Sequence, residues 1–266
     1  MPLTALLRGY NHVILDLDGC VWVGDEATPQ AAEAIAALRE AGHRLAFVTN
    51  DGRRSPEEYV RKLWSLGCQA SLEEVVTVGS AIQHVLADRP PGTGAFVIGS
   101  PAIFRHVTEA GHRILNHTAR AQEADVVILV GHDDFSYAEL LTATRAVLEG
   151  AEMIAGGRDR TFPAPEGPCP GTGPIVAALE YATGATARSV GKPDPQMFLT
   201  ALDRLGDGRT LVIGDRLDAD LAGAAAAGLD GAIVLTGVTT PEAAAAAADP
   251  APVAIAPDLA RLVLSR

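Results

Sequence analysis

Along this chain, short apolar runs alternate with amphipathic stretches, each break marked by glycine, proline or an acid. Val13-Ile14-Leu15, β-branched at two of three positions and bounded by polar residues, predicts a buried parallel strand. Thr28-Pro29 then predicts a cap and a helix from Pro29 to Ala41, with Ile35 and Leu38 on its apolar face and Gly42 as its stop. Leu45 to Val48 reads as a second strand ending in Thr49-Asn50-Asp51-Gly52. Ser55-Pro56-Glu57-Glu58 has capping-box spacing for a helix to about Leu66. Val75 to Val78 is a third expected strand, followed by a short helix from Ala81 to Ala87.

The run Arg89-Pro90-Pro91-Gly92-Thr93-Gly94 interrupts this pattern and predicts a linker. Beyond it strands are expected at 95–98, 125–130 and 152–155, with helices at 101–110, 136–148 and 174–182. Residues 156–171, rich in Gly and Pro, predict a loop. Ser189 to Pro193 brings the chain back to a helix from Pro195 to Leu205, a strand from Thr210 to Ile213 and a helix to Ala227. A strand at 232–235, a helix at 241–248 and a strand near 253–255 complete the pattern. The expected organisation is a core of residues 1–91 and 187–266 with a small α/β unit, residues 92–186, inserted into it. Strands alternating with helices predict an α/β fold with a doubly wound parallel sheet.

In such a sheet the carboxyl ends of the strands share one edge, where ligands bind. Four apolar segments are expected to end there, at Asp16/Asp18, at Thr49/Asn50, at the Lys192 segment and at Asp215 to Asp220. Asp16 to Gly19 alone reads equally well as a strand entering an Asx turn. The set of carboxylates, one hydroxyl, one lysine and loop amides suits a hard cation together with a phosphate. Magnesium wants about six oxygen ligands and keeps several as water, so Asp16, the Asp18 carbonyl and Asp215 are a plausible protein share. An Asp carboxylate can attack phosphorus, and a second one two residues on can protonate the leaving oxygen and then activate water. Asp16 fits the first task and Asp18 the second, with Thr49 and Lys192 on the phosphoryl oxygens.

Composition narrows the partners. With 33 acidic against 21 basic residues the net charge is −12, which argues against nucleic acid or an anionic membrane. An anion bound by such a protein needs a metal or a few placed cations. No apolar run approaches the roughly 20 residues of a membrane span, and the first residues lack a signal-peptide core, so a cytoplasmic location is expected. The 3 cysteines, Cys20, Cys68 and Cys169, follow no metal-ligand spacing and read as free thiols.

These motifs together resemble the haloacid dehalogenase superfamily of phosphatases, in its NagD-like and 4-nitrophenylphosphatase branch. Asp16-Leu17-Asp18-Gly19 resembles the nucleophile motif, Thr49-Asn50 the phosphate-binding motif, Gly191-Lys192-Pro193 the lysine motif, and Gly214-Asp215-Arg216-Leu217 with Asp220 the metal motif. Thr161-Phe162-Pro163 and Pro170-Gly171-Thr172-Gly173 resemble parts of the branch's cap domain. The resemblance implies a Rossmann-like core, a cap inserted between the phosphate-binding and lysine motifs, and often a dimer through the cap. It implies a Mg2+-dependent hydrolase of small phosphorylated metabolites working through an aspartyl-phosphate on Asp16. Asp51 departs from a usual Asn, placing an extra negative charge near the phosphate site, and Gly156-Gly157-Arg158 replaces a common Thr-Asn-Pro, so substrate choice does not carry over.

Asp220 is expected to orient Lys192 or metal-bound water, whereas Asp218 reads as a first-turn acid suited to the helix dipole. Arg53 and Arg54 read as exposed loop arginines. His132, Asp133 and Asp134 face either a substrate or water, and Trp22 either walls an entrance or fills the core. The rival functions are a signalling phospho-acceptor, carbon–halogen hydrolysis, and a non-catalytic phosphate-binding module of the same fold.

Overall fold

A computed structural model describes residues 1–162 and 169–265, with the backbone alone at Phe162. Pro163 and the rest of residues 163–168, within the expected 156–171 loop, lie outside the described residues. The chain packs as two compact units, one comprising Met1–Thr49, Pro56–Val76 and Lys192–Arg266, the other Asn50–Ser55 and Thr77–Gly191.

The first unit is built on a six-stranded sheet. In spatial order its strands are Ala254–Ala256, Asp230–Val234, Thr210–Gly214, His12–Asp16, Arg44–Thr49 and Val75–Thr77. The His12–Asp16 strand is central, paired parallel to Thr210–Gly214 on one side and to Arg44–Thr49 on the other. All of its five residues are buried, as expected for a β-branched run with covered faces on both sides. The helix Ala31–Glu40 lays Ala31, Ala34, Ile35, Ala37 and Leu38 into the core, and Gly42 beyond its end takes φ 88°, a left-handed conformation that glycine adopts without a Cβ clash.

The second unit carries a five-stranded sheet in the order Arg188–Ser189, Glu152–Ala155, Val126–Gly131, Gly94–Gly99 and Arg113–Ile114. Its core gathers Phe96, Ile98, Val127, Leu129, Met153 and the inner faces of the helices Tyr137–Leu148 and Thr172–Thr183. The unit also includes the helix Val78–Ala87, which packs on the helix Pro101–Glu109.

Several expectations are corrected by tertiary context. The Lys192 segment is not a strand of the core sheet: the two-residue strand before it, Arg188–Ser189, pairs with Glu152–Ala155 in the second sheet, and Lys192 follows in a loop. Thr28 does not cap the first long helix, because its hydroxyl donates to the carbonyls of Cys20 (2.8 Å) and Val21 (3.2 Å), and Gln30 at φ 54° stands at the helix start instead. The helix expected from Ala81 begins at Val78, where Thr77 and Ser80 form a capping box that cuts short the preceding strand. Within 156–171 the pairs Thr161–Phe162 and Cys169–Pro170 form a small antiparallel ribbon. The segment after Gly214 starts as a π-helical turn, Leu217–Leu221, before the α-helix Ala222–Ala226. Its wider turn lets Leu221 N–H reach the Arg216 carbonyl at 3.1 Å and brings Asp220 back against Gly214.

Candidate active site

The acids of the first unit converge where the two central strands end. Asp16 is the last residue of its strand and Asp215 the residue just after Gly214, so the parallel register of these neighbours brings their carboxylates together. Asp220 arrives through the π-helical turn. One oxygen from each of Asp16, Asp215 and Asp220 lies within 4.8 Å of the others, and all three residues are buried.

Lys192 enters this cluster. Its ammonium donates to Asp16 Oδ1 in a very short contact and to Asp220 Oδ1 at 2.7 Å. Asp220 Oδ2 in turn accepts from the backbone N–H groups of Asp215 (3.2 Å) and Arg216 (3.0 Å). Asp215 Oδ2 accepts from the Val238 N–H at 2.6 Å. Three carboxylates against one ammonium leave two negative charges uncompensated when all are ionised, in a place screened from water. Burial accordingly raises the Asp16 carboxyl well above its usual range, although Lys192 opposes the shift. Burial likewise pushes Asp215 up to about 6, partly offset by the Val238 hydrogen bond. Burial alone would lower the Lys192 value, but the charges of Asp16 and Asp220 outweigh it and raise it.

The backbone makes room for these groups. A Cβ on Gly19, whose φ is 86°, would stand 2.6 Å from Asp215 Cγ, and one on Gly237 would stand 1.9 Å from Asp215 Oδ2. A Cβ on Gly214 would lie 2.3 Å from Asp220 Cγ. Hard carboxylate oxygens, clustered and short of positive charge, fit a hard divalent cation; magnesium suits such a donor set.

The burial of Asp215 has a measurable consequence in cation-free protein. Its folded carboxyl holds a proton more tightly than the unfolded one, so its contribution to stability is present below about pH 4 and lost as pH rises through about 6. The loss is on the order of 3 kcal/mol. Thermal melts in chelator between pH 4 and 7 should show this fall, and Asp215→Asn should make it shallower, with the raised Asp16 carboxyl still contributing; equal slopes in the two proteins would refute the assignment.

The remaining expected site residues are distributed as follows. Thr49, buried at the end of its strand, belongs to the first unit, one strand over from Asp16. Asn50 belongs to the second unit, where its Nδ2 donates to Asp159 Oδ2 at 3.4 Å and its Oδ1 lies 3.2 Å from where a Gly191 Cβ would be. The Asp18 side chain is exposed, and its Oδ1 accepts from Trp22 Nε1 at 2.8 Å. Trp22 itself is fully buried and so belongs to the core. Asp51 is paired with Arg53, whose Nε donates to Asp51 Oδ1 at 2.8 Å, so the extra charge expected near the phosphate site carries its own counterion. Asp218 pairs with Arg216 at 2.9 Å, and those hydrogen bonds hold its carboxyl below the usual value. Arg54, Asp133 and Asp134 are exposed, and His132 meets Glu139 at 2.8 Å. Cys20 is a buried thiol whose Sγ lies 3.7 Å from the Ile213 carbonyl; burial, then the nearby Asp16 charge, raises its pKa well above the usual value.

Sequence reasoning missed the loop after Asp230–Val234, which supplies the Val238 N–H to Asp215 and the Thr236 hydroxyl to the Gly19 carbonyl. The strand order could have pointed to it, since that strand lies next to Thr210–Gly214.

Residues 13–113 match the haloacid dehalogenase-like hydrolase family, and residues 189–262 match a second model described as HAD-hydrolase-like. Neither covers 114–188. The chain is 36% identical over 238 residues to the D-glycerol 3-phosphate phosphatase of Mycobacterium tuberculosis, covering 89% of this chain and 66% of that one. It is 31% identical over 238 residues to the acid sugar phosphatase of Staphylococcus aureus (strain USA300), with 89% and 90% covered. It is similar to the crystal structure of glycerol phosphate phosphatase from Mycobacterium tuberculosis in complex with magnesium, with a TM-score of 0.88 at 34% identity over 99% of this chain and 79% of that one. Matched by family models over residues 13–113 and 189–262 and aligned over most of its length with phosphatases, the chain belongs to the haloacid dehalogenase-like hydrolases, among their phosphatases.

Proposed function

We propose that this protein is a magnesium-dependent phosphomonoester hydrolase of small phosphorylated metabolites that works through an aspartyl-phosphate on Asp16. The observation that carries the reading is the single ammonium of Lys192 shared between Asp16 and Asp220, beside Asp215, brought together from three separate stretches of the chain. Such a constellation has no packing advantage, since burying three acids around one lysine is costly unless a cation and an anion complete it.

In this reading an Asp16 carboxylate oxygen attacks phosphorus while Asp18 protonates the departing oxygen. Asp18 then takes a proton from the water that attacks the aspartyl-phosphate, which frees Asp16 and inorganic phosphate. Asp16, the Asp18 carbonyl and Asp215 would hold magnesium, which when bound supplies positive charge opposite the phosphoryl oxygens. Lys192 contributes an ammonium to the same oxygens, and Thr49 and Asn50 contribute hydrogen bonds. Asp220, tied to the N–H groups of Asp215 and Arg216, holds the lysine in line. The second unit acts as the substrate-selecting cap. Relatives named for glycerol 3-phosphate and acid sugars favour a small polyol or sugar phosphate as substrate.

The test is chemical trapping. Protein quenched during turnover of p-nitrophenyl phosphate and reduced with borohydride should carry homoserine at position 16, found by peptide mass spectrometry. Turnover without any trapped residue there would argue against the covalent route.

A further inference from the structure

The acid proposed at Asp18 has a neighbour that this chemistry does not use. Indole Nε1–H of Trp22 donates to Asp18 Oδ1 at 2.8 Å. Donor and acceptor sit in one closed turn: Trp22 N–H donates to the Leu17 carbonyl at 3.2 Å, and Gly19 N–H donates to the Trp22 carbonyl at 2.7 Å. The ring has no freedom to follow a moving carboxylate, because it is fully buried and stacked nearly parallel on Tyr59, with centroids 6.4 Å apart and planes 5° from parallel. Lys62 Nζ lies 4.5 Å from the Trp22 ring centroid, itself held by the Gly24 carbonyl at 2.7 Å. A cation over the ring face draws electron density from the indole and makes its N–H the stronger donor.

An exposed Asp side chain without a tether samples several rotamers. Here one carboxyl oxygen is fixed by a rigid donor, which leaves the other to carry the transferable proton. We propose that Trp22, backed by Lys62, is a positioning residue for Asp18. The inference rests on the acid/base role read for Asp18 above. As the bond from Asp16 to phosphorus forms and the bond to the leaving oxygen breaks, Asp18 Oδ2–H passes its proton to that oxygen while Oδ1 stays on the indole. When water attacks, its oxygen bonds to phosphorus, the bond from Asp16 to phosphorus breaks, and Oδ2 takes the proton of the water.

A misplaced acid harms poor leaving groups most, because a good one departs as an anion without help. The experiment compares wild type, Trp22→Phe and Asp18→Asn on aryl phosphates of rising leaving-group pKa, from p-nitrophenyl to p-methoxyphenyl, with magnesium present. Trp22→Phe should lower kcat/KM, which reports the steps through departure of the leaving group and not the water attack common to all the esters, about tenfold for the p-methoxyphenyl ester and less than twofold for the p-nitrophenyl ester. Equal loss across the series in Trp22→Phe, while Asp18→Asn remains sensitive to the leaving group, overturns the inference alone. Insensitivity in Asp18→Asn as well overturns the acid role beneath it. A second readout does not require Trp22→Phe to fold. The chain has 2 tryptophans, and the other, Trp64, donates its Nε1–H to the Ala70 carbonyl at 2.8 Å. In protein labelled with 15N-tryptophan, Asp18→Asn should shift one indole signal and leave the other in place; if neither moves, the tether does not exist in solution.

Discussion

Asp16→Asn should remove turnover of p-nitrophenyl phosphate by a factor of about 10^4 to 10^6, the scale on which a covalent nucleophile is missed. The neutral amide keeps the volume of the carboxylate but has no anionic oxygen to attack phosphorus. Stability should hold or rise at the same time, because Asn no longer imposes the desolvation that raises the Asp16 carboxyl. This opposite movement of activity and stability separates chemistry from unfolding. Steady-state phosphate release and a thermal melt on one preparation measure both. Near-normal release from the variant would end the nucleophile reading.

Lys192→Met should be the most destabilising single change in the cluster, by about 3–5 kcal/mol near pH 8. Lys192 is 5% exposed and lies between Asp16 and Asp220, so its loss strands buried carboxylates without a counter-charge. Its own pKa is raised in the fold, which means the ammonium's contribution is fully present below the unfolded value of about 10.4 and is lost only as pH rises through the still higher folded one. Across pH 5 to 8 the wild-type ammonium therefore stays on. In the variant the acids relieve their repulsion by taking up protons, so the deficit should shrink as pH falls towards 5. Urea unfolding of both proteins at pH 5 and 8 measures this, and a deficit independent of pH would show that packing, not charge, is what Lys192 supplies. Activity should fall by about 10^2 to 10^3 as well.

The strands were the most readable part of the chain, because a run such as Val13-Ile14-Leu15 carries its own signal: β-branching, continuous hydrophobicity and a polar end. Asp16, Thr49 and Asp215 followed, being fixed by where such runs stop. Features set by distant partners were not readable. Thr28 has every local mark of a cap, yet its hydroxyl serves the turn at Cys20 and Val21, a contact no window around residue 28 contains. Lys192 is expected at the edge of the core sheet because Ser189 to Pro193 brings the chain back to the core. In the fold the strand just before it belongs to the second sheet. The π-helical turn that brings in Asp220 depends on backbone donors at Asp215 and Arg216, and the amide of Val238 comes from a loop on a neighbouring strand. Nothing in the residue types of 235–239 announces a role beside Asp215.

The central strand, His12–Asp16, waits on late neighbours. One flank, Arg44–Thr49, is translated soon after it, but the other, Thr210–Gly214, and the lysine that answers Asp16 leave the ribosome only after the whole of Thr77–Gly191. An N-terminal half-sheet emerging alone carries an unpaired inner edge and an uncompensated acid. The second unit, by contrast, has nearly all of its chain in one continuous stretch and is complete before the first can close. Synthesis therefore delivers the two units in the reverse of their order of first appearance, and the cluster of Asp16, Lys192, Asp215 and Asp220 is assembled last.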